Sequence, residues 1–213
     1  MSAGPTVFVV DDDPSIRRAL VRLIKSVGCE VETYPTAKEF LDVYDGTRAG
    51  CLVLDIRMPG LSGLELQEVL AERQIVLPII FITGHGDVPM SVRAMKGGAV
   101  DFLQKPFNDQ ELLDAIGRAL ARDTTLRQTQ ALRTEADRRV ALLTPREHDV
   151  FRLVVVGKMN KEIAAHYGIS EKTVKVHRAR VMEKMQATSL AELVRLAQVA
   201  GLDTTKVQSP SNQ

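Results

Sequence analysis

The chain has no long hydrophobic run. Its longest apolar stretches, such as residues 79–82 and 153–156, fall far short of the about 20 residues that a membrane-spanning helix needs. The N-terminus lacks the basic flank and apolar segment of a secretory signal, so the expected setting is cytoplasmic, with no membrane partner. Cysteine is scarce. Cys29 and Cys51 are the only two, and their spacing fits no metal-ligand pattern, so both are expected to be reduced core residues rather than a disulfide or a zinc site. No internal repeat is present.

What remains is an ordinary globular composition of 213 residues, 45% hydrophobic and 26% charged, enough for one large domain or two small ones. The net charge of +1 conceals an asymmetry. Residues 1–121 carry 12 basic and 17 acidic side chains, a net charge of −5, and residues 122–213 carry 16 basic and 10 acidic, a net charge of +6. The acidic front suits a cation and the basic back a polyanion.

Short apolar runs at residues 6–10, 30–34, 51–54, 78–82 and 100–104 alternate with amphipathic stretches. The first, third and fourth runs are almost wholly apolar, as parallel strands covered on both faces are. Helix-start signals separate them: Asp13 before Pro14, and the pairs Thr36/Glu39, Ser62/Glu65 and Asn108/Glu111. Five strands alternating with helices predict an open α/β sheet. Residues 120–143 contain neither glycine nor proline, and Leu132, Ala136, Val140 and Leu143 recur at helical spacing, so this stretch is expected to be a helical linker. Thr144-Pro145-Arg146-Glu147 restarts the chain with a capping box. Helices are expected over about 145–156, 160–167, 171–185 and 190–200, with Gly157 and Gly168 ending the first two. The boundaries expected are therefore 1–121, a linker 122–143, a helical domain 144–200 and a flexible tail 201–213.

The informative polar residues of the front fall at strand ends: Asp11, Asp12 and Asp13 after the first, Asp55 after the third, Thr83 after the fourth and Lys105 after the fifth. Ligands of open parallel sheets bind outside the carboxyl ends of the strands, so these residues should converge. Crowded carboxylates attract a hard divalent cation such as Mg²⁺, one carboxylate can act as a nucleophile toward phosphorus, and a lysine with the metal neutralises a transferring phosphoryl group. Asp13 reads as a helix cap.

This pattern resembles the CheY-like (flavodoxin-like) receiver domain over residues 5–121, through Val9-Val10-Asp11-Asp12, Leu54-Asp55-Ile56-Arg57-Met58-Pro59-Gly60, Thr83-Gly84 and Lys105-Pro106-Phe107. The stretch from Thr83 to Met90 is close to the FixJ-like branch. The resemblance implies Asp55 as phosphoacceptor, Thr83 and Lys105 as phosphoryl-stabilising groups, and Phe102 as a switch aromatic. It implies Mg²⁺ held by Asp12, Asp55 and the Arg57 backbone carbonyl, with Asp11 acting through water. It also places Lys96 and Asp101 on a face where receivers pair. Arg57 and His85 flank the pocket in sequence and are read equally as tuning groups or as surface.

In the basic back, residues 162–185 form two helical stretches joined by Gly168-Ile169-Ser170, the grammar of a helix-turn-helix. Val174, Val181 and Met185 supply a buried stripe. Lys172, Lys175, Val176 and Ala179 lie on another face, with cations for phosphate or guanine and small apolar groups for a thymine methyl. His177, Arg178 and Arg180 flank that face, while Lys184 reads as a solvated charge. Leu143-Thr144-Pro145-Arg146-Glu147, Asn160-Lys161-Glu162-Ile163-Ala164 and Lys172-Thr173-Val174-Lys175-Val176-His177-Arg178 resemble the all-α, four-helix LuxR/FixJ-type DNA-binding domain over residues 140–200. That resemblance implies base contacts from Lys175 and Val176 and backbone contacts from Lys172, Thr173 and His177.

The expectation is a phosphorylation-dependent transcriptional regulator rather than an enzyme. Its partners would be a sensor histidine kinase, double-stranded promoter DNA, RNA polymerase and a second copy of itself upon phosphorylation. A constitutive DNA-binding regulator whose receiver takes no phosphate is the alternative. Asp11-Asp12-Asp13 superficially fits an aspartate-nucleophile phosphatase, but Ser15 departs from that pattern and no residues are left over for a substrate cap.

Overall fold

The computed structural model describes residues 4–84 and 88–202. The chain divides into two compact units, Met1–Arg127 and Gln128–Gln213. His85 and residues 203–213, the bulk of the expected tail, lie outside the described residues.

In the first unit, strands β1 (Thr6–Val10), β2 (Glu30–Tyr34), β3 (Gly50–Asp55), β4 (Ile79–Thr83) and β5 (Asp101–Gln104) alternate with α1 (Pro14–Ser26), α2 (Ala37–Val43), α3 (Gly63–Glu72), α4 (Val88–Lys96) and α5 (Asp109–Ala141). The strands pair in parallel in the order β2-β1-β3-β4-β5. The central β1, β3 and β4 are buried along their whole length because each face meets its own layer of helices. Phe8, Val10, Leu52, Leu54 and Phe81 pack with Phe40, Leu66, Leu70 and Ala94 from α2, α3 and α4. The alternate residues Val7, Val9, Cys51, Val53, Ile80 and Ile82 pack with Leu20, Ile24, Leu112 and Ile116 from α1 and α5. This double burial is why the strands read as continuous apolar runs.

The helix starts are fixed by the residues that signalled them. Asp13 accepts from the Ser15 amide at 2.7 Å ahead of Pro14. Thr36 accepts from the Glu39 amide, and Ser62 and Glu65 form a reciprocal capping box. Both cysteines are free; Cys51 is fully buried and Cys29 packs against the same layer. Burial pushes the Cys51 thiol up to about 12, which leaves it an inert core residue.

α5 runs unbroken for 33 residues, from Asp109 to Ala141. The first unit extends along it to Arg127, past residue 121, for a specific reason. Asp123 is buried and accepts the Gly50 amide at 3.0 Å. Arg127 returns from one helical turn later to pair with Asp123 at 2.8 Å and to donate to the Thr47 and Arg48 carbonyls. The Tyr44 hydroxyl also donates to the Arg48 carbonyl, at 3.0 Å. From residue 128 onward α5 belongs to the second unit. Ala136 is buried and Val140 and Leu143 pack on that unit's core, whereas Leu132 is 58% exposed and drops out of the expected stripe.

The second unit adds α6 (Pro145–Val155), α7 (Asn160–Tyr167), α8 (Glu171–Met185) and α9 (Leu190–Val199). Phe151, Val154, Ile163, Val174, Val181, Met185, Leu193 and Ala197 form its core. Thr144 and Glu147 make the capping box of α6, and Gly168 ends α7 in a left-handed conformation.

Gly50 faces a constraint of space. A Cβ there would lie 1.8 Å from the Thr6 carbonyl oxygen, so Gly50→Ala must push β1 from β3. We expect it to cost about 1–3 kcal/mol or more, measured as a lowered urea midpoint for the first unit. A variant as stable as the parent would show that the strand ends yield freely.

Candidate functional site

The strand order reverses between β1 and β3, and the carboxyl ends of β1, β3, β4 and β5 meet beside that point. Asp11 follows β1 and is fully buried, Asp55 ends β3 at 7% exposure, Thr83 ends β4 fully buried, and Asp12 is exposed beside them. Lys105 reaches in from the end of β5, where its amide donates to the Thr83 carbonyl at 2.7 Å and its bond to Pro106 is cis. Its ammonium lies 2.7 Å from Asp11 Oδ2 and 2.7 Å from Asp55 Oδ2. One cation thus bridges two carboxylates whose strands neighbour each other in the sheet.

Main-chain donors hold both acids in place. The Asp13 amide donates to Asp11 Oδ1 at 2.9 Å and the Arg57 amide to Asp55 Oδ1 at 3.1 Å. The Arg57 side chain is exposed. Gly63, at the start of α3, stands so close that a Cβ would come within 2.3 Å of the Asp55 carbonyl oxygen. Burial raises the pKa of Asp11, and the Lys105 hydrogen bond offsets this only in part. Burial draws the Lys105 pKa down, but the hydrogen bonds and charges of Asp11 and Asp55 outweigh it, so the lysine stays firmly charged.

Ligand atoms of Asp11, Asp12 and Asp55 lie within 4.8 Å of one another. Three hard carboxylates, one of them open to solvent, suit a cation that takes oxygen ligands and keeps several waters. Phe102 is half-buried and packs on the α2–α4 layer. Lys96 is exposed at the end of α4. Asp101 is already engaged, its carboxylate accepting from Arg118 at 2.5 Å.

In the second unit, α7 and α8 form the helix-turn-helix. Val174, Val181 and Met185 are buried, and Lys172, Thr173, Lys175, Val176, Ala179 and Arg180 are exposed. Val176 is 46% exposed, so its methyls lie open beside Lys172 and Lys175 on that face. Thr173 shares a 2.8 Å hydrogen bond with the capping Ser170, so its hydroxyl also serves the start of α8. His177 is half-buried, and its Nδ1 has no hydrogen-bond partner among the described residues.

Lys184 corrects the sequence reading. It is not a solvated charge: its ammonium lies 2.6 Å from buried Glu147 and 3.1 Å from the Leu142 carbonyl. This tie, the Asp123–Arg127 pair and a bond from Arg139 to the Met185 carbonyl at 3.0 Å escaped sequence reasoning. Only Asp123 and Arg127 left a local trace, in their helical-turn spacing.

An acidic, lysine-bridged pocket on a parallel sheet and a helix-turn-helix with a basic face are the two halves of a response regulator that controls transcription. The model of the response regulator receiver domain matches residues 7–117, and that of the bacterial regulatory proteins of the luxR family matches residues 141–197. The chain is 52% identical over 207 residues to nodulation protein W of Bradyrhizobium diazoefficiens, covering 97% of this chain and 91% of that protein. It is 46% identical over 202 residues to the transcriptional regulatory protein FixJ of the same organism, covering 95% and 98%. The solved response regulator StyR superposes with a TM-score of 0.83 at 51% identity, covering 92% of this chain and 99% of that one. The chain belongs to the two-component response regulators of the FixJ/LuxR type, which join a receiver to a LuxR-type DNA-binding domain. The class works with histidine kinases and DNA and is not an enzyme in the ordinary sense. No helix among the described residues is long and apolar enough to cross a membrane.

The buried Glu147 makes the second unit sensitive to acid. The Lys184 hydrogen bond first, then the Thr144 amide, lower its pKa from 4.5 to about 2. A carboxylate held below its unfolded value stabilises the fold above about pH 4.5, and that contribution fades as pH falls toward 2. Glu147→Ala strands the lysine and the Thr144 amide and should cost about 1–3 kcal/mol. Glu147→Gln keeps the cap but loses the charge pair, so it should cost less and flatten the acid limb in pH-dependent thermal melts. An identical acid limb in the Gln variant would remove Glu147 from that role.

Proposed function

We propose that this chain is a phosphorylation-dependent transcriptional regulator. In this reading Asp55 takes a phosphoryl group from a sensor histidine kinase, and α8 reads promoter DNA. The carrying observation is the Lys105 ammonium at 2.7 Å from both Asp11 and Asp55. It holds Asp55 at the mouth of the acidic cluster with one carboxylate oxygen against a cation, the placement that suits a nucleophile toward phosphorus. In the transfer, an Asp55 oxygen bonds to phosphorus as the phosphorus–nitrogen bond of the kinase's phosphohistidine breaks, and the imidazole leaves with the bonding pair. Asp11, Asp12 and Asp55, with the Arg57 carbonyl, would hold Mg²⁺, which supplies positive charge to the phosphoryl oxygens. Lys105 would exchange the Asp55 oxygen for a phosphoryl oxygen while keeping Asp11, and Thr83 ends the neighbouring strand. Their movement, followed by Phe102, would change the α4–β5 face.

That face supports pairing with a second copy. α4 leaves Val88, Val92 and Met95 exposed beside Lys96, at helical spacing along one side. Asp101 would have to exchange Arg118 for the partner's lysine. Paired receivers raise the local concentration of the second DNA-binding unit to the order of mM, a gain of about 10²–10⁴ in avidity without any new DNA contact. RNA polymerase would be met at the promoter.

Acetyl phosphate with Mg²⁺ should add one acid-stable, base-labile phosphate to the protein and none to Asp55→Asn, as read by intact mass. Full incorporation by the Asn variant would move the acceptor elsewhere. No incorporation by the parent would favour the constitutive DNA-binding reading.

Lys175→Ala should weaken binding to a native promoter fragment by about 1–3 kcal/mol with unchanged Asp55 phosphorylation. An unchanged footprint would take α8's exposed face out of recognition.

A further inference from the structure

The C-terminal end of α8 is held from outside the helix-turn-helix. α8 stops at Gln186, which adopts a left-handed conformation at φ 52° although it carries a side chain, a conformation that needs support from its surroundings. The helix's own last carbonyls close that turn, the Gln186 amide donating to Glu183 and the Ala187 amide to Met182, and two further ties reach the residues just before it. The Arg139 guanidinium, from the last turn of α5, donates to the Met185 carbonyl at 3.0 Å and is itself held by Glu135 at 2.7 Å. Lys184 ties the same end to Glu147 and to the Leu142 carbonyl. Arg139 satisfies a carbonyl that the helix leaves unpaired and sets a positive charge against the negative end of its dipole.

Neighbouring Arg138 pairs with the same glutamate but is 62% exposed, whereas the Arg139 side chain is 19% exposed. Arg139 is folded inward onto α8 and is poorly placed to meet a phosphate. A recognition helix reads bases through three or four side chains whose register in the groove is set by where the helix is anchored, and α8 exposes Lys172, Lys175 and Val176 toward its start. An anchor at its far end limits how that face can tilt.

We propose that Arg139 is a positioning residue for DNA recognition: it grips the C-terminal end of α8 and so fixes the register of the helix's exposed face. The proposal rests on the reading of α8 as the recognition helix.

The test uses the full chain, a promoter fragment recovered from genomic DNA with the parent protein, and a random-sequence duplex of equal length. Arg139→Ala should lower the ratio of specific to random binding about fivefold to tenfold and leave the salt slope of log K unchanged, because no phosphate contact is lost. Arg139→Lys should restore part of that ratio. Glu135→Ala, which frees the guanidinium without removing it, should lower the ratio in the same direction, and it serves alone if Arg139→Ala does not fold. A salt slope reduced by about 1 with equal losses on both DNAs would make Arg139 a direct phosphate contact and overturn the proposal. So would a ratio unchanged in Arg139→Ala and Glu135→Ala. Lys175→Ala is measured alongside: full retention of specific binding by that variant would sink the recognition-helix reading itself, whatever Arg139 does.

Discussion

The receiver is organised around one ammonium group. Asp11 and Asp55 stand at the ends of adjacent strands, one fully and one nearly fully buried, and two carboxylates in that position would repel each other. Lys105 resolves the conflict by bonding both at 2.7 Å. It can do so only because β5 lies on the far side of β4 and ends level with it, its amide bonded to the Thr83 carbonyl. The sheet order, the lengths of the strands and the close approach of Gly63 to Asp55 all serve to keep this charge cluster in register. The cost of burying the acids is held down by main-chain donors at Asp13 and Arg57, so the cluster is stable yet built from bonds that an incoming charged group can exchange.

Much of this was legible in the sequence because the signals are local. Strands buried on both faces appear as unbroken apolar runs, so the residues that end those runs stand out, and Asp11, Asp55 and Thr83 are such residues; Lys105 ends the less apolar β5 and was legible by its place after the fifth strand. The capping pairs Ser62/Glu65 and Thr144/Glu147 read equally well, since both partners lie three positions apart. What stayed hidden were partners distant in sequence. Nothing around Lys184 announces that it will meet Glu147, and nothing around Arg139 announces the Met185 carbonyl. A lysine or arginine on a helix looks solvated until the element opposite is known. The same limit applies to Leu132, whose spacing matched its neighbours although it is left exposed.

The two units differ in how they hold charge. In the receiver the acidic cluster sits at a strand edge with one open side, at Asp12. In the DNA-binding unit the buried carboxylate of Glu147 is spent on structure, closing the start of α6 and anchoring α8 at once. Its basic residues thereby divide into two groups: Lys172, Lys175 and Arg180 are exposed, while Arg139 and Lys184 are consumed by the fold. A net positive charge therefore overstates what is available to a polyanion.

The Asp123–Arg127 tie has a consequence for how the chain is made. Synthesis runs from the N-terminus, and the loop between α2 and β3 emerges long before its partners. Until Asp123 and Arg127 have left the ribosome, the Gly50 amide lacks the carboxylate, and the Thr47 and Arg48 carbonyls the guanidinium, that serve them in the finished fold. β3 is the middle strand of the sheet and begins at that glycine. Domains generally mature as whole units in the order they are translated, and here the receiver is complete only when a turn of the helix leading into the next unit has already been delivered. The nascent receiver is thus sealed by the same stretch of chain that starts its successor.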